Sequence, residues 1–86
     1  MSALRWSDAA LDDLYAIRQG LGADAAKRIG RILVEATECL VEFPERGRPG
    51  VLENTRELPL PGLPWRIIYA VADDGWVTIL RVTSIS

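Results

Sequence analysis

The sequence predicts an α+β domain: a short N-terminal strand, then an antiparallel helical hairpin packed on a three- to four-stranded antiparallel β-sheet. Apolar residues recur at steps of three and four through the first half of the chain, the period of a helix face. After Gly50 that period gives way to short runs rich in β-branched and aromatic residues, broken by proline and glycine. Turn formers at Gly20–Gly22 and in "FPERGRPG", Phe43 to Gly50, punctuate the two halves.

A first strand fits Ala3 to Trp6. Ser7 follows where a helix cap belongs, its hydroxyl able to accept from an orphan amide of the first turn, and Asp8 favours the same end. Ala10, Leu14, Ile17 and Leu21 then fall on one face, with Asp12, Asp13, Arg18 and Gln19 mostly opposite, giving a helix over Asp8 to Gln19. Gly20 and Gly22 end it. Asp24 is positioned to cap a second helix over Ala25 to Glu42, whose apolar positions are Ile29, Ile32, Leu33, Ala36, Leu40 and Phe43. Pro44 stops it by restricting the residue before it, and the brief joint makes the pair a hairpin.

"FPERGRPG" could be a phosphate cradle or a connector. A cradle needs its glycines to open a helix whose amino terminus faces the anion. Here strands follow, so the segment reads as a connector. "TRELPL", "PWRIIYAVA" and "WVTILRV" are the strands, the last two joined at Asp73–Gly75 by a hairpin turn in which glycine supplies positive φ. These last two strands are nearly continuous in apolar residues. The helices are expected against one of their faces and a partner or ligand against the other.

At 86 residues, 49% apolar and 26% charged, the chain has room for one domain, residues 1–86, and one small core. The formal net charge of −2 argues against non-specific nucleic-acid binding, which draws its affinity from a basic excess. Nine of the ten cations are arginine, the side chain suited to bidentate pairing with carboxylates, which points toward an acidic protein partner. One cysteine and no histidine leave no disulfide framework and no Cys/His metal site, so no metal or cofactor is expected. The amino terminus lacks the pattern of an export signal, and no apolar run has the length of a membrane span; a cytoplasmic protein is expected.

"LRWSDAALDDLYAIR", "FPERGRPG", "TREL", "WRIIYAV" and "VTILRV", in that order and spacing, resemble the ParE branch of the ParE/RelE superfamily, the toxin halves of bacterial toxin-antitoxin pairs. The likeness runs from Leu4 to Val82. It implies a toxin held inactive by a ParD-like antitoxin and acting, when free, on DNA gyrase, with no membrane contact and no sequence-specific nucleic-acid binding of its own. Relatives of the RelE branch cut messenger RNA on the ribosome, and fold alone does not choose between the branches.

For the ribonuclease alternative, the resemblance places Arg66 where ribosome-dependent relatives keep a catalytic arginine. Arg56 and Arg81 would add positive charge and Glu57 would serve as a base. The chain has no histidine, its single lysine is Lys27 on the second helix, and it continues past "LRV" only with Thr83 to Ser86, where nuclease relatives place basic, aromatic or histidine residues. The acid-base half of such a site is missing. The simpler reading of Arg66 is an ion pair with Glu57 across the sheet. Arg81, which strict alternation puts on the face of Val77 and Ile79, needs a carboxylate from this chain or from the antitoxin. For the antitoxin surface the candidates are Leu11, Tyr15, Trp65, Tyr69, Trp76 and Arg81, whose aromatic area as a group exceeds what two helices cover. ParE relatives commonly carry a histidine-containing tail beyond "LRV". Its replacement by Thr83–Ser86 raises a further alternative, an attenuated toxin that binds antitoxin and does little else.

Overall fold

The computed structural model describes residues 3–85. In chain order the elements are β1 (Leu4–Trp6), α1 (Asp8–Gln19), α2 (Ala23–Glu42), β2 (Arg48–Pro49), β3 (Thr55–Pro59), β4 (Trp65–Val71) and β5 (Val77–Ser84). The strands form one five-stranded sheet in the order β1-β5-β4-β3-β2. All neighbours are antiparallel except β1, which runs parallel to β5 with Leu4 opposite Val77 and Trp6 opposite Ile79.

α1 begins and ends where the sequence places it. The Ser7 hydroxyl accepts from the Ala10 amide at 3.1 Å, a cap worth about 1 kcal/mol. The same hydroxyl donates to the Leu80 carbonyl at 2.9 Å, and the Ser7 amide donates to the Ile79 carbonyl at 2.9 Å. One serine thus starts the helix and fastens it to β5. α2 begins two residues earlier than expected: its cap is Gly22, and Asp24 lies inside the first turn, where it meets the positive end of the helix dipole without making a capping bond.

Both helices cover one face of the sheet. The core joins Ala10 of α1 and Ile29, Leu33 and Leu40 of α2 to Ile67, Tyr69, Val77, Ile79 and Val82 of the sheet, closed at one end by Leu60. Burying each large aliphatic side chain here is worth roughly 1.5–3 kcal/mol. Phe43, expected to continue the buried stripe of α2, is the C-cap residue instead and is 58% exposed, because its backbone has left the helical conformation and carries it off the helical face.

Two further features depart from simple pattern reading. β2 is a two-residue strand within the proline-rich connector, paired with Arg56 and Glu57 of β3. β5 contains a bulge: Ile68 faces Arg81 and Tyr69 faces Ile79, leaving Leu80 unmatched. The extra residue reverses the alternation, so Val82 is buried and Arg81 is exposed, away from the face of Val77 and Ile79.

The connector is riveted to the sheet. The Tyr69 hydroxyl donates to the Pro44 carbonyl at 2.7 Å and accepts from the Gly47 amide at 2.8 Å. Arg56 donates to the Gly47 carbonyl at 2.6 Å. Gly47 is required by this close approach: a Cβ there would stand 2.5 Å from the Tyr69 hydroxyl and 2.9 Å from the Glu57 carbonyl oxygen. No helix among the described residues is long and apolar enough to cross a membrane.

Candidate partner-binding surfaces

Leu11 and Tyr15 lie one helical turn apart on α1, at 49% and 67% exposure, and with Leu14, Leu21 and Ala26 they line a groove of about 600 Å³ between α1 and the start of α2. Arg18 and Gln19 form its polar margin. The flank of α1 beside its core stripe therefore offers a tyrosine and a leucine side chain that no other described residue covers, with the tyrosine of the kind that anchors binding interfaces.

The other residues expected beside them do not join this groove. Tyr69 is a correction: it is fully buried, its hydroxyl engaged by Pro44 and Gly47, and burial holds its phenol above the ordinary value. Strand alternation placed it correctly on the face of Trp65, but that is the helix-covered face. Trp65 is half-buried against the core. Trp76 is half-buried, with the Arg5 guanidinium 4.7 Å above its ring. Arg81 finds its carboxylate within the chain. Its Nε and one terminal nitrogen donate to the two oxygens of Asp13 at 2.7 and 2.9 Å, and the Val82 amide donates to Asp13 at 2.9 Å. The hydrogen bond from Arg81 outweighs burial and holds the Asp13 carboxyl below its usual range, while the same contact raises the guanidinium.

The four residues considered for catalysis separate. Arg66 and Glu57 share the sheet face turned away from the helices, with 3.1 Å between a guanidinium nitrogen and Glu57 Oε1. Arg56 is opposite Tyr69, on the helix-covered face, and braces the connector. Arg81 is bound to α1 through Asp13. The expectation that Arg56 and Arg81 add charge beside Arg66 is therefore corrected, the first by strand alternation and the second by the bulge. Arg48 of β2, which pattern reading missed because β2 is too short to show a period, is the second cation near Glu57, at 3.9 Å.

Around this pair is a pocket of about 240 Å³ lined by Val51, Leu52, Thr55, Ile68 and Thr83. Glu57 is 7% exposed. Arg66 Nε is buried and has no hydrogen-bond partner among the described residues, while its other terminal nitrogen makes a long 3.5 Å contact to the Ile85 carbonyl. Ser86 lies outside the described residues.

The model of the ParE toxin of type II toxin-antitoxin systems, parDE, matches residues 4–85. The chain belongs to this toxin family. The toxin is 38% identical over 82 residues to the putative toxin Y4kP of Sinorhizobium fredii, covering 92% of this chain and 83% of that protein. It is 39% identical over 85 residues to toxin RelE2 of Caulobacter vibrioides, covering 95% and 93%. Among solved structures, the toxin fold resembles a chain of the chromosomal ParDE system of P. aeruginosa, with a TM-score of 0.86, 27% identity and coverage of 100% and 98%. It also resembles a chain of the M. tuberculosis RelBE2 toxin-antitoxin complex, with a TM-score of 0.70, 27% identity and 94% coverage of both. Relatives named for both ParE and RelE are thus among its neighbours, and the fold by itself does not choose an activity.

Proposed function

We propose that this toxin works by binding: a ParD-like antitoxin neutralises it by covering the Leu11–Tyr15 groove, and the freed toxin docks on DNA gyrase and blocks it in the bacterial cytoplasm. The observation that carries the reading is the groove itself, an exposed Leu and Tyr on the hairpin beside the stripe that packs on the core. Membership of the family described by parDE, and the likeness to the P. aeruginosa ParDE structure, supply the class of partner.

A binding role is favoured over catalysis by the state of Arg66. Cleavage of RNA needs one group to take the 2'-hydroxyl proton, another to protonate the leaving oxygen, and free cations for the phosphorane-like transition state. Here Glu57 occupies Arg66, the chain has no histidine, and the rest of the pocket wall is Val51, Leu52, Thr55, Ile68 and Thr83. The second reading, a ribosome-dependent endoribonuclease, draws on the same pair: Glu57 as base with Arg66 and Arg48 as the cations.

Controlled expression in bacteria tests the choice. Filamentation with induction of the DNA-damage response, and inhibition of gyrase supercoiling by purified toxin, are the expected results. Abrupt loss of translation with cut messages, abolished by Arg66→Gln, would select the ribonuclease. Tight antitoxin binding with neither effect would select the attenuated toxin.

A further inference from the structure

α2 carries its charges in the order opposite to the one that stabilises a lone helix. From Ala23 to Arg31 it holds three bases and one acid; from Ile32 to Glu42 it holds three acids and no base, so Glu42 stands where the negative end of the helix dipole favours a cation. Lys27, Arg31, Val34, Glu35, Glu38 and Glu42 are all exposed. At about 3.6 residues per turn they share one stripe roughly 100° wide, turned away from the core positions Ile29, Leu33 and Leu40. Among the described residues, none of these charges takes part in an ion pair within the chain.

The stripe is complementary to itself. Lys27 and Arg31 stand one turn apart on its basic half, Glu38 and Glu42 stand one turn apart on its acidic half, and Val34 and Glu35 lie between. We infer that it is an interface between two copies of the free toxin, packed antiparallel about a two-fold axis that passes between Val34 and Glu35. That single register sets Lys27 against Glu42 of the partner subunit and Arg31 against Glu38 of the partner subunit, each pair occurring twice by symmetry. It also brings Val34, 44% exposed in the single chain, against its own symmetry mate at the axis. All of these pairs lie within about 12 Å of the axis on a helix rising about 1.5 Å per residue, so the shallow crossing of about 20° common in helical bundles keeps them in reach.

The neighbouring surface suits an approaching helix. Gly30 has no side chain, and Arg18 of α1 lies over it, its Nε 3.6 Å from where a Cβ would stand, which adds a cation to the basic half. Leu14, Gly30 and Val34 supply the apolar lining of an open groove of about 450 Å³ along this side of α2. The mixture of signs selects the occupant. A run of phosphates drawn to Lys27 and Arg31 meets Glu35 and Glu38 in the same groove, and an acidic protein segment meets the same repulsion. A helix with the charge order reversed matches both halves, and α2 of a second copy, run antiparallel, is such a helix. Being one helix wide, the interface is smaller than those of permanent dimers, so the association is weak, concentration-dependent and sensitive to salt. The stripe contains none of the residues that line the Leu11–Tyr15 groove, so self-association is separate from capture by an antitoxin.

Sedimentation velocity of the purified free toxin tests this. The average mass is expected to rise with concentration at low salt, and the association constant to fall tenfold or more in about 0.5 M salt, where charges are screened within a few ångströms. Arg31→Glu and Glu38→Arg each set like charges against one another across the axis and should each weaken self-association tenfold or more. Mixed one to one, the two variants regain opposite charges at both of those contacts and should form a heterodimer as tight as the unaltered dimer. Both positions are exposed, so each variant should keep the Tm of the free toxin within a few degrees, and the salt titration reports without any variant. Leu11→Ser, Tyr15→Ser in the hairpin groove should leave the dimer intact. A toxin that is monomeric at every concentration at low salt, self-association indifferent to salt and to Arg31→Glu, or a mixture no tighter than either variant alone would each overturn the proposal. So would loss of the dimer in the groove variant, or a DNA duplex or polyglutamate bound at Arg31 by a toxin that stays monomeric.

Discussion

Tyr69 shows how much can hang on one hydroxyl. It is buried to 0% exposure, and its oxygen satisfies both a carbonyl and an amide of the connector. Tyr69→Phe keeps the ring and strands Pro44 O and Gly47 N, so it should cost about 1–3 kcal/mol, read as a lower urea midpoint with an unchanged slope. Gly47→Ala pushes a methyl into the same oxygen and into the backbone of β3 and should destabilise by about 1–3 kcal/mol. Because burial raises the Tyr69 phenol above its ordinary value, this contribution is intact below about pH 10 and is lost as pH rises toward the folded value. The identity of Tyr69 as a core residue was half legible. Alternation gave its face correctly, but aromatic character was read as surface area for a partner, and nothing local in "WRIIYAV" shows that its hydroxyl reaches a loop more than twenty residues away.

At the scale of elements, the junction of α1 with β5 is held by groups that look unremarkable in sequence. β1 pairs only as far as Ile79, so the edge of β5 beyond it would be open. Ser7 takes the Leu80 carbonyl and Asp13 takes the Val82 amide while gripping Arg81. An exposed strand edge is thus covered by side chains of a helix. The lowered folded value of Asp13 means that this contact stabilises fully above the ordinary carboxylate range and is lost as pH falls through that lowered value. The urea midpoint should decline below about pH 4, and Asp13→Asn should have a lower midpoint at pH 7 and a shallower acid decline. Element by element, the helices were the most legible part because their period spans several turns: α1 was read to the residue and α2 to within two at its start. β2 is too short to carry a pattern, and the bulge at Leu80 is one extra residue in a run that alternates acceptably either way. The parallel pairing of β1 with β5 left no local trace, since it joins residues some seventy positions apart. Of the site, Leu11 and Tyr15 were legible as apolar positions off the buried stripe. Val51 and Leu52 were not, because a loop has no period to assign them a face.

For the molecule as a whole, the question is how a domain this small remains folded. Its accessible surface is 5729 Å², against roughly 5,000 Å² for a compact monomer of 9.5 kDa. The excess includes Leu11, Tyr15, Val34, Phe43, Val51 and Leu52. A protein that binds only the folded state stabilises it by about 2.7 kcal/mol at a hundred times its Kd. For a chain of this length that corresponds to roughly 10–20 °C in Tm. Such a shift is expected when the cognate antitoxin is added, measured by differential scanning fluorimetry. The double substitution Leu11→Ser, Tyr15→Ser should abolish the shift while moving the Tm of the free toxin by no more than a few degrees, because both side chains already face water.

The first strand of the chain is completed only by its last one. Val77 N donates to the Ala3 carbonyl, and Ser7 meets Ile79 and Leu80, so the amino-terminal turn has no finished seat until those residues have left the ribosome. Folding of this toxin therefore waits on contacts that span most of the sequence, and a chain halted before Val77 lacks the seat for its own first helix.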